Sequence, residues 1–358
     1  MTVLAAVRGA LPPYRHAQAD ITDAVAEMTG AEGSPLALLR RVHASAGVDT
    51  RHTVLPLEDY ARLDGFDDAN ETFIRAGLDL GQDALERALA AAGLSPPDVD
   101  LVMTVSVTGV AAPSLEARLT PRVGLREDVK RVPVFGLGCV AGAAGLARLH
   151  DYLAGHPDDV AVLLSVECCS LTLQRDDTST ANLVASGLFG DGAAAVVAVG
   201  DQRAARLGLS GPRVVASRSR LYPDTERVMG WDIGGSGFTV VLDKSVADVV
   251  RAYLPDDVSR FLEDHGLHIG DIATWISHPG GPRVLEAVRE SLDLKPDALA
   301  LTWDRLAREG NLSSASVLHV LADTLEAAHQ GHHPGDGAPG LVLAMGPGFC
   351  AEMVLLRW

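Results

Sequence analysis

The feature that most constrains the fold is the alternation of short apolar strand patterns with longer helical patterns along the chain. Such alternation predicts an α/β protein in which sheets and helices form layers. The predicted strands are Leu101–Val107, Arg131–Leu137, Val160–Glu167 and Ala193–Val199, followed by a second set in RVVASRSRL, FTVVL, IATWIS and LVLAM. The predicted helices are Asn70–Ala92, Val140–Leu153, Val246–Asp264, Pro282–Ser291 and Ser314–Ala328.

The two sets of strands meet at Val199–Arg213, a charged stretch with glycine and proline that predicts a connector. Each set contains several strands with intervening helices, so we expect two similar halves packed together, residues 1–205 and residues 206–358. Aromatic residues make up only 4% of the chain, which contains 36 glycines. The interior is therefore predicted to consist mainly of Val, Leu and Ala with closely approaching backbones.

Charge and cysteine spacing exclude several classes of function. The formal net charge is −17, and no basic run exceeds the pairs Arg40-Arg41 and Lys130-Arg131, so a nucleic-acid partner is not expected. The four cysteines form neither a CxxC pair nor a zinc-type cluster with histidine. The histidines of the turn-rich segment His329–Gly340 are predicted to lie in a solvated surface loop, so no metal is expected. Neither a signal peptide nor a membrane-spanning run is apparent, and we expect a cytoplasmic protein that does not bind membranes.

One cysteine lies in a segment that predicts a strand, a glycine turn and a helix. In VFGLGCVAGAAGLARL, Cys139 falls at the turn or in the first helical turn. A helix N-terminus stabilises a thiolate and lowers the pKa of the thiol. The residues alone support a nucleophile and a buried structural cysteine about equally.

Two other polar loops could complete a site with this cysteine. A nucleophilic cysteine needs a base and a donor for an oxyanion. His278 in WISHPGGP ends a predicted strand, where α/β folds place active groups. Asn311 in REGNLSSAS precedes a predicted helix, and taken alone it is equally well explained as a helix N-cap. Together, the three loops favour a Cys–His–Asn catalytic site.

The motifs GLGCVAGAAG, GLFGDGAAAVV, SHPGGP, GNLSSAS and the terminal GPG occur in the order and approximate spacing of a known family. From about Val48 to Trp358 the chain resembles type III polyketide synthases, the chalcone-synthase-like branch of the thiolase superfamily. The resemblance implies a five-layer αβαβα thiolase fold with two pseudo-duplicated halves, a homodimer, and CoA thioesters as substrates without a cofactor. The first half would carry the nucleophile, and the second half the catalytic histidine and asparagine.

The resemblance also assigns roles to individual residues. Cys139 would be the acylated nucleophile, with His278 and Asn311 holding the thioester carbonyl while malonyl-CoA loses CO2. Fixed donors in a dry site suit the enolate formed in that step, and His278 is expected to pair with Cys139 as imidazolium and thiolate. Phe189 would be the gatekeeper between a CoA tunnel and the cavity, and Phe238 a second cavity phenylalanine.

Further cavity and entrance residues follow from an approximate alignment with the family. The expected cavity residues are Val107, Cys169, Thr172, Met229, Ser313 and Met345. Met345 stands where plant members place an aromatic residue, which puts plant-like product cyclisation in doubt. Arg51 and Arg283 are the candidates for CoA binding near the entrance.

The resemblance implies an acyltransferase that condenses an acyl-CoA starter with malonyl-CoA. Cys169 and the segment MGWDIGGSGF resemble bacterial members that accept fatty acyl starters, so we expect a medium- or long-chain starter and an alkylpyrone or alkylresorcinol product. One alternative is a synthase that uses malonyl-CoA alone to make tetrahydroxynaphthalene or a similar small phenol. The others are a ketoacyl synthase III, which typically has an HQAN-like motif in place of HPGGP, and a non-catalytic scaffold of the same fold, which usually lacks the nucleophile.

Overall fold

The computed structural model describes all of the chain, Met1–Trp358. The strands are β1 (Thr2–Ala10), β2 (Tyr14–Ala17), β3 (Thr50–Thr53), β4 (Leu101–Ser106), β5 (Lys130–Phe135), β6 (Val160–Cys168), β7 (Asp191–Gly200), β8 (Arg213–Leu221), β9 (Met229–Gly234), β10 (Gly237–Leu242), β11 (Thr274–Ser277), β12 (Pro339–Gly346) and β13 (Cys350–Arg357). The α-helices are α1 (Gln18–Thr29), α2 (Gly33–Ala44), α3 (Gly65–Ala92), α4 (Leu115–Val123), α5 (Ala141–Gly155), α6 (Thr180–Leu188), α7 (Asp201–Leu207), α8 (Val246–Glu263), α9 (Pro282–Ser291), α10 (Ala300–Glu309) and α11 (Ser316–Ala327). None of these helices has both the length and the apolar content needed to cross a bilayer.

The strand order repeats within the chain. In the first half the order is β5-β4-β6-β7-β1, with β4 parallel to β6, β6 antiparallel to β7, and β7 antiparallel to β1. In the second half the order is β11-β12-β13-β8, with the same sequence of parallel, antiparallel and antiparallel pairs. The first half adds one edge strand, β5. Apart from β5, the two halves therefore have the same strand topology, as the alternating pattern predicts.

The two sheets are joined along one edge. Thr2 pairs with Val214 and Val3 with Arg213, which links β1 to β8 and makes nine continuous strands. The expected pair of mixed sheets is therefore present, with a short direct connection between them.

Five layers result from how the helices cover these sheets. Helices α5 and α11 pack between the inner faces of the two sheets in one apolar cluster. Helix α3 covers the outer face of the first sheet, and α8 and α9 cover the outer face of the second. Alternation along each strand sends neighbouring side chains to opposite layers: Leu163 faces the middle layer and Leu164 faces the α3 side. This is the expected αβαβα arrangement.

The element boundaries agree with the sequence pattern in some places and differ in others. Helix α9 has the predicted bounds, and α3 begins at Gly65 rather than at Asn70. The predicted connector Val199–Arg213 contains the short helix α7. The segment FTVVL lies outside the main sheet, in a hairpin of β9 and β10. Strand β1, which the pattern did not predict, pairs with both β7 and β8.

Candidate active site

Cys139 lies in a tight turn between strand β5 and helix α5. The turn is a short 3-10 helix, Gly138–Val140, and α5 continues from it directly. The end of β12 closes over this turn, because a Cβ at Gly346 would lie 3.3 Å from the amide nitrogen of Cys139. Cys139 is only 7% exposed, and its Sγ lies 3.7 Å from Ser313 Oγ, the one polar side-chain contact of the thiol.

Asn311 lies in the loop between α10 and α11, and its backbone pairs with the segment around Phe189. Its amide donates to Leu188 O at 2.8 Å, and its carbonyl accepts from Gly190 N at 3.0 Å. The side-chain Oδ1 accepts from Ser313 N at 2.8 Å, and Nδ2 has no partner in the chain. This orientation leaves the NH2 group of Asn311 free to donate to a bound molecule.

His278 directly follows strand β11 in the second half. Its amide donates to Leu343 O at 2.8 Å, which fixes the backbone at the end of β12. The ring is 5% exposed, and Nδ1 is buried without a partner. The loop continues to Gly281, which packs against Leu188, the residue to which Asn311 is also bonded. The structure thus brings the Cys139, His278 and Asn311 loops together around Leu188 and Ser313.

Burial dominates the electrostatics of these groups. Removal from water raises the pKa of the Cys139 thiol to about 12, although the hydrogen bond with Ser313 lowers it in part. Burial lowers the pKa of His278 to about 3. Both shifts favour the neutral thiol and the neutral imidazole, and no hydrogen bond joins the two side chains, so the imidazolium–thiolate pair stays a prediction.

Glu167 is a buried acid beside the site that the sequence analysis did not identify. It is fully buried at the end of β6, and burial raises its pKa. Oε2 accepts from Val107 N at 3.1 Å and from Thr108 Oγ1 at 2.8 Å, while Oε1 accepts from the hydroxyl of Ser314. Glu167 therefore ties the Val107 turn to the loop of Asn311. The signal in the sequence was a charged residue at the end of an otherwise apolar strand pattern.

A cavity extends from the segment around Phe189 toward helix α1. Its volume is about 60 Å³, and Arg51 is the only charged residue in its wall. Of the expected cavity residues, Cys169, Thr172 and Phe189 line it. Its far wall is apolar and consists of Ile21, Val25, Met28 and Leu57.

Phe238 lines a separate, wider cleft of about 620 Å³. Trp231 connects the two regions, with its ring centroid 6.4 Å from that of Phe189 and 6.2 Å from that of Phe238. The sequence analysis did not single out Trp231. Val107 and Ser313 are buried next to Glu167 and Cys139, respectively.

Four expected site residues need correction or qualification. Met345 and Met229 lie in or against the outer apolar cluster under α8, and neither lines the cavity of Phe189 or the cleft of Phe238. Alternation along β12 turns Met345 away from the middle layer. Arg51 is 3% exposed, so it does not stand at an open entrance for CoA. Arg283 is exposed beside Pro282 and forms no ion pair, so its role in CoA binding stays a prediction.

Comparison with known proteins agrees with this architecture. Family models for the N-terminal and C-terminal domains of chalcone and stilbene synthases match residues 1–202 and 213–358. A 1,3,6,8-tetrahydroxynaphthalene synthase from Streptomyces peucetius subsp. caesius is 60% identical over 357 residues, which cover 100% of this chain and 93% of the relative. An enzyme of the same name from Streptomyces coelicolor is 36% identical over 324 residues, which cover 90% of this chain and 83% of the relative. The crystal structure of 1,3,6,8-tetrahydroxynaphthalene synthase from Streptomyces coelicolor A3(2) superposes with a TM-score of 0.91 at 32% identity, covering 99% of both chains.

Fold and sequence together define an acyltransferase with a thiolase-like α/β fold. Within that class, the chain belongs to the chalcone and stilbene synthase family and is a bacterial type III polyketide synthase. This assignment removes the support for a ketoacyl synthase III and for a non-catalytic scaffold.

Proposed function

We propose that the protein condenses malonyl-CoA units alone and releases 1,3,6,8-tetrahydroxynaphthalene or a closely related small phenol. The observation that carries this proposal is the 60% identity, over the full length of the chain, to a synthase named for that product. The fatty acyl starter that we first expected from Cys169 thus becomes the second candidate.

In the proposed loading step, Cys139 attacks the thioester carbonyl of the first malonyl-CoA. A new carbon–sulfur bond forms to Cys139 Sγ, the bond to CoA breaks, and CoA leaves as its thiol. Burial raises the pKa of the Cys139 thiol and lowers the pKa of His278, which favours the neutral form of both groups before substrate binds. His278 is therefore free to act as the base that removes the thiol proton, which passes to the departing CoA sulfur.

In the proposed extension step, the thioester oxygen of a second malonyl-CoA accepts hydrogen bonds from His278 and Asn311. The free NH2 group of Asn311 supports this role, since its oxygen is already bonded to Ser313. The bond to the carboxylate breaks, CO2 leaves, and the electron pair forms an enolate whose oxygen the two donors stabilise. The enolate carbon then bonds to the acyl carbon on Cys139, the carbon–sulfur bond breaks, and the sulfur leaves as a thiolate that takes up a proton from solvent.

The test is an incubation of the purified protein with malonyl-CoA as the only substrate, followed by mass spectrometry of the products. We expect an aromatic product composed only of malonyl-derived carbons, and no product from Cys139→Ser. Release of acetyl-CoA without condensation, or product formation only after a second acyl-CoA is added, would refute the malonyl-only proposal.

A fatty acyl starter remains the second candidate because the cavity beyond Cys169 and Thr172 ends in an apolar wall at helix α1. Intact-protein mass spectrometry of wild type and Cys139→Ser, after brief exposure to malonyl-CoA and to acyl-CoAs from acetyl to palmitoyl, separates the two candidates. Loading that increases with chain length favours the fatty starter, and loading restricted to malonyl favours the first proposal.

We also propose a homodimer, and the division into halves at residues 205 and 206. Strand β5 is a sheet edge bonded only to β4, and Phe135 at its end is 48% exposed. An edge with an exposed aromatic residue is suited to pairing with a second copy.

The proposed division falls within helix α7, between the two regions that the family models match.

A further inference from the structure

Arg51 is a buried arginine without a contacting acid. Nη1 donates to Phe189 O at 2.6 Å, and Nε donates to Gln18 Oε1 at 3.1 Å. Nη2 is buried without a partner, and the side-chain hydrogen bonds of Arg51 reach no acid. The nearest acid to influence it is Asp191, whose carboxylate oxygens are bonded to Ser170 and Val54. Burying a charged side chain without an ion pair costs free energy. The hydrogen bonds of Arg51 to Phe189 and Gln18 therefore need an explanation other than charge neutralisation.

Gln18 extends this contact along the same segment. Its Nε2 donates to Gly187 O at 2.8 Å, so Gln18 and Arg51 together bind the carbonyl oxygens of Gly187 and Phe189. Both residues belong to the N-terminal elements α1 and β3, far in sequence from the segment that they bind. These two side chains therefore hold the Phe189 segment from the side opposite Asn311.

The aliphatic part of Arg51 also contacts the Asn311 loop. Gly310 has φ of 73°, and a Cβ added there would lie 3.0 Å from both Cγ and Cδ of Arg51 and 2.6 Å from Leu188 O. Only glycine fits this position without displacing Arg51 or the bridge between Phe189 and Asn311. One side chain thus binds Phe189 and packs beside Gly310, the residue that precedes Asn311.

We propose that Arg51 is a positioning residue that fixes the NH2 group of Asn311 for malonyl-CoA decarboxylation, acting through the Phe189–Asn311 backbone bridge. Without the guanidinium, the carbonyl of Phe189 loses its donor and the bridge can shift. A displacement of about 1 Å at a reacting group can reduce a rate by about 100-fold. The proposal rests on the decarboxylating role of Asn311 and does not depend on which phenol is released.

The experiment is a double-mutant cycle of Arg51→Met and Asn311→Ala, with CO2 release from malonyl-CoA as the readout. We expect R51M to lower kcat for decarboxylation by about 10- to 100-fold, with little change in KM. Acyl loading of Cys139, measured on the same samples by intact mass, should change far less. In the N311A background, R51M should cause no further loss, because Arg51 acts only through Asn311.

Arg51→Lys keeps the positive charge but lacks the planar guanidinium group, so we expect a kcat between those of wild type and R51M. If R51M does not fold, R51K takes its place in the cycle. Thr29→Val is the matched control. It removes a buried hydrogen bond from Thr29 Oγ1 to Val25 O within helix α1, and it leaves the Phe189 segment untouched. T29V should decarboxylate like wild type. An equal loss in the wild-type and N311A backgrounds, or an equal loss of loading and decarboxylation, would overturn the proposal.

A failed product assay would not affect this test. If the protein makes no tetrahydroxynaphthalene but still decarboxylates malonyl-CoA, the cycle remains measurable and only the proposed product is wrong. If N311A itself decarboxylates at the wild-type rate, the role of Asn311 fails, and the positioning proposal for Arg51 fails with it.

Discussion

The Sγ of Cys139 lies 3.7 Å from the Oγ of Ser313, so the thiol of the first half meets a hydroxyl of the second half in the middle layer. Ser313 adopts φ of 50°, in the left-handed region that non-glycine residues rarely occupy. The bond from its amide to Asn311 Oδ1 helps to hold this conformation. One strained residue therefore orients both the thiol and the asparagine of the proposed site.

Ser313→Ala should make Cys139 less reactive. The Ser313 hydroxyl lowers the pKa of the thiol, opposing the larger effect of burial, so its removal raises that pKa further. At pH 8 we expect alkylation by iodoacetamide to slow by about three- to tenfold, the equivalent of one hydrogen bond. Peptide mass spectrometry would follow the reaction at Cys139 in a Cys350→Ser background, since Cys350 is the most exposed of the four cysteines and Cys169 also lines the cavity. An unchanged rate in S313A would contradict the role of Ser313.

Glu309→Gln should weaken the protein at neutral pH and have little effect in strong acid. Glu309 contacts His319 Nδ1 at 2.9 Å and the guanidinium of Arg305, and its pKa is lowered to about 2 despite burial. Because the folded pKa lies below the unfolded value near 4.5, this stabilisation is complete above about pH 4.5 and is lost as the pH falls toward 2.

The expected difference in the free energy of unfolding between wild type and E309Q is about 3 kcal/mol at pH 7 and shrinks steadily below pH 4.5. Urea denaturation at a series of pH values measures it. Glu326→Gln, which changes an exposed acid on the adjacent helix α11, should show no such dependence. A difference for E309Q that is constant from pH 7 to pH 3 would disprove the assignment.

Gly142→Ala should disrupt the contact between the two central helices. A Cβ at Gly142 would overlap the carbonyl oxygen of Ser314 and lie 2.7 Å from Val317 Cγ1, so α5 and α11 would have to separate. We expect a loss of about 1–3 kcal/mol in the free energy of unfolding, together with lower activity, because Ser314 adjoins the Asn311 loop.

Gly155→Ala is the matched control, at the other end of the same helix, where a Cβ would meet nothing within 4 Å. It should leave stability unchanged or raise it slightly, since alanine favours helices over glycine. Thermal unfolding of both variants tests the pair. Equal stability of G142A and G155A would show that the helices tolerate a wider spacing.

Local sequence patterns predicted much of this molecule. Helix α9 follows from proline at its first position and the apolar spacing that follows, and its bounds match the prediction. The turn of Cys139 and the strand end at His278 also depend on neighbouring residues alone. The missed strand β1 carries no turn signal of its own, and its place between β7 and β8 depends on partners nearly 200 residues away.

The sequence by itself determined the alternating elements, the repeated topology and the polar loops that meet at the site, because periodicity and turn chemistry act between near neighbours. Only the tertiary structure decided that Arg51 is buried, that Met345 faces the outer layer, and that burial raises rather than lowers the pKa of Cys139. A strand such as β12 is apolar on both faces, so its pattern does not reveal which face lies toward the site. Desolvation likewise depends on groups that only the assembled layers bring together, and it can outweigh any local effect of the helix N-terminus.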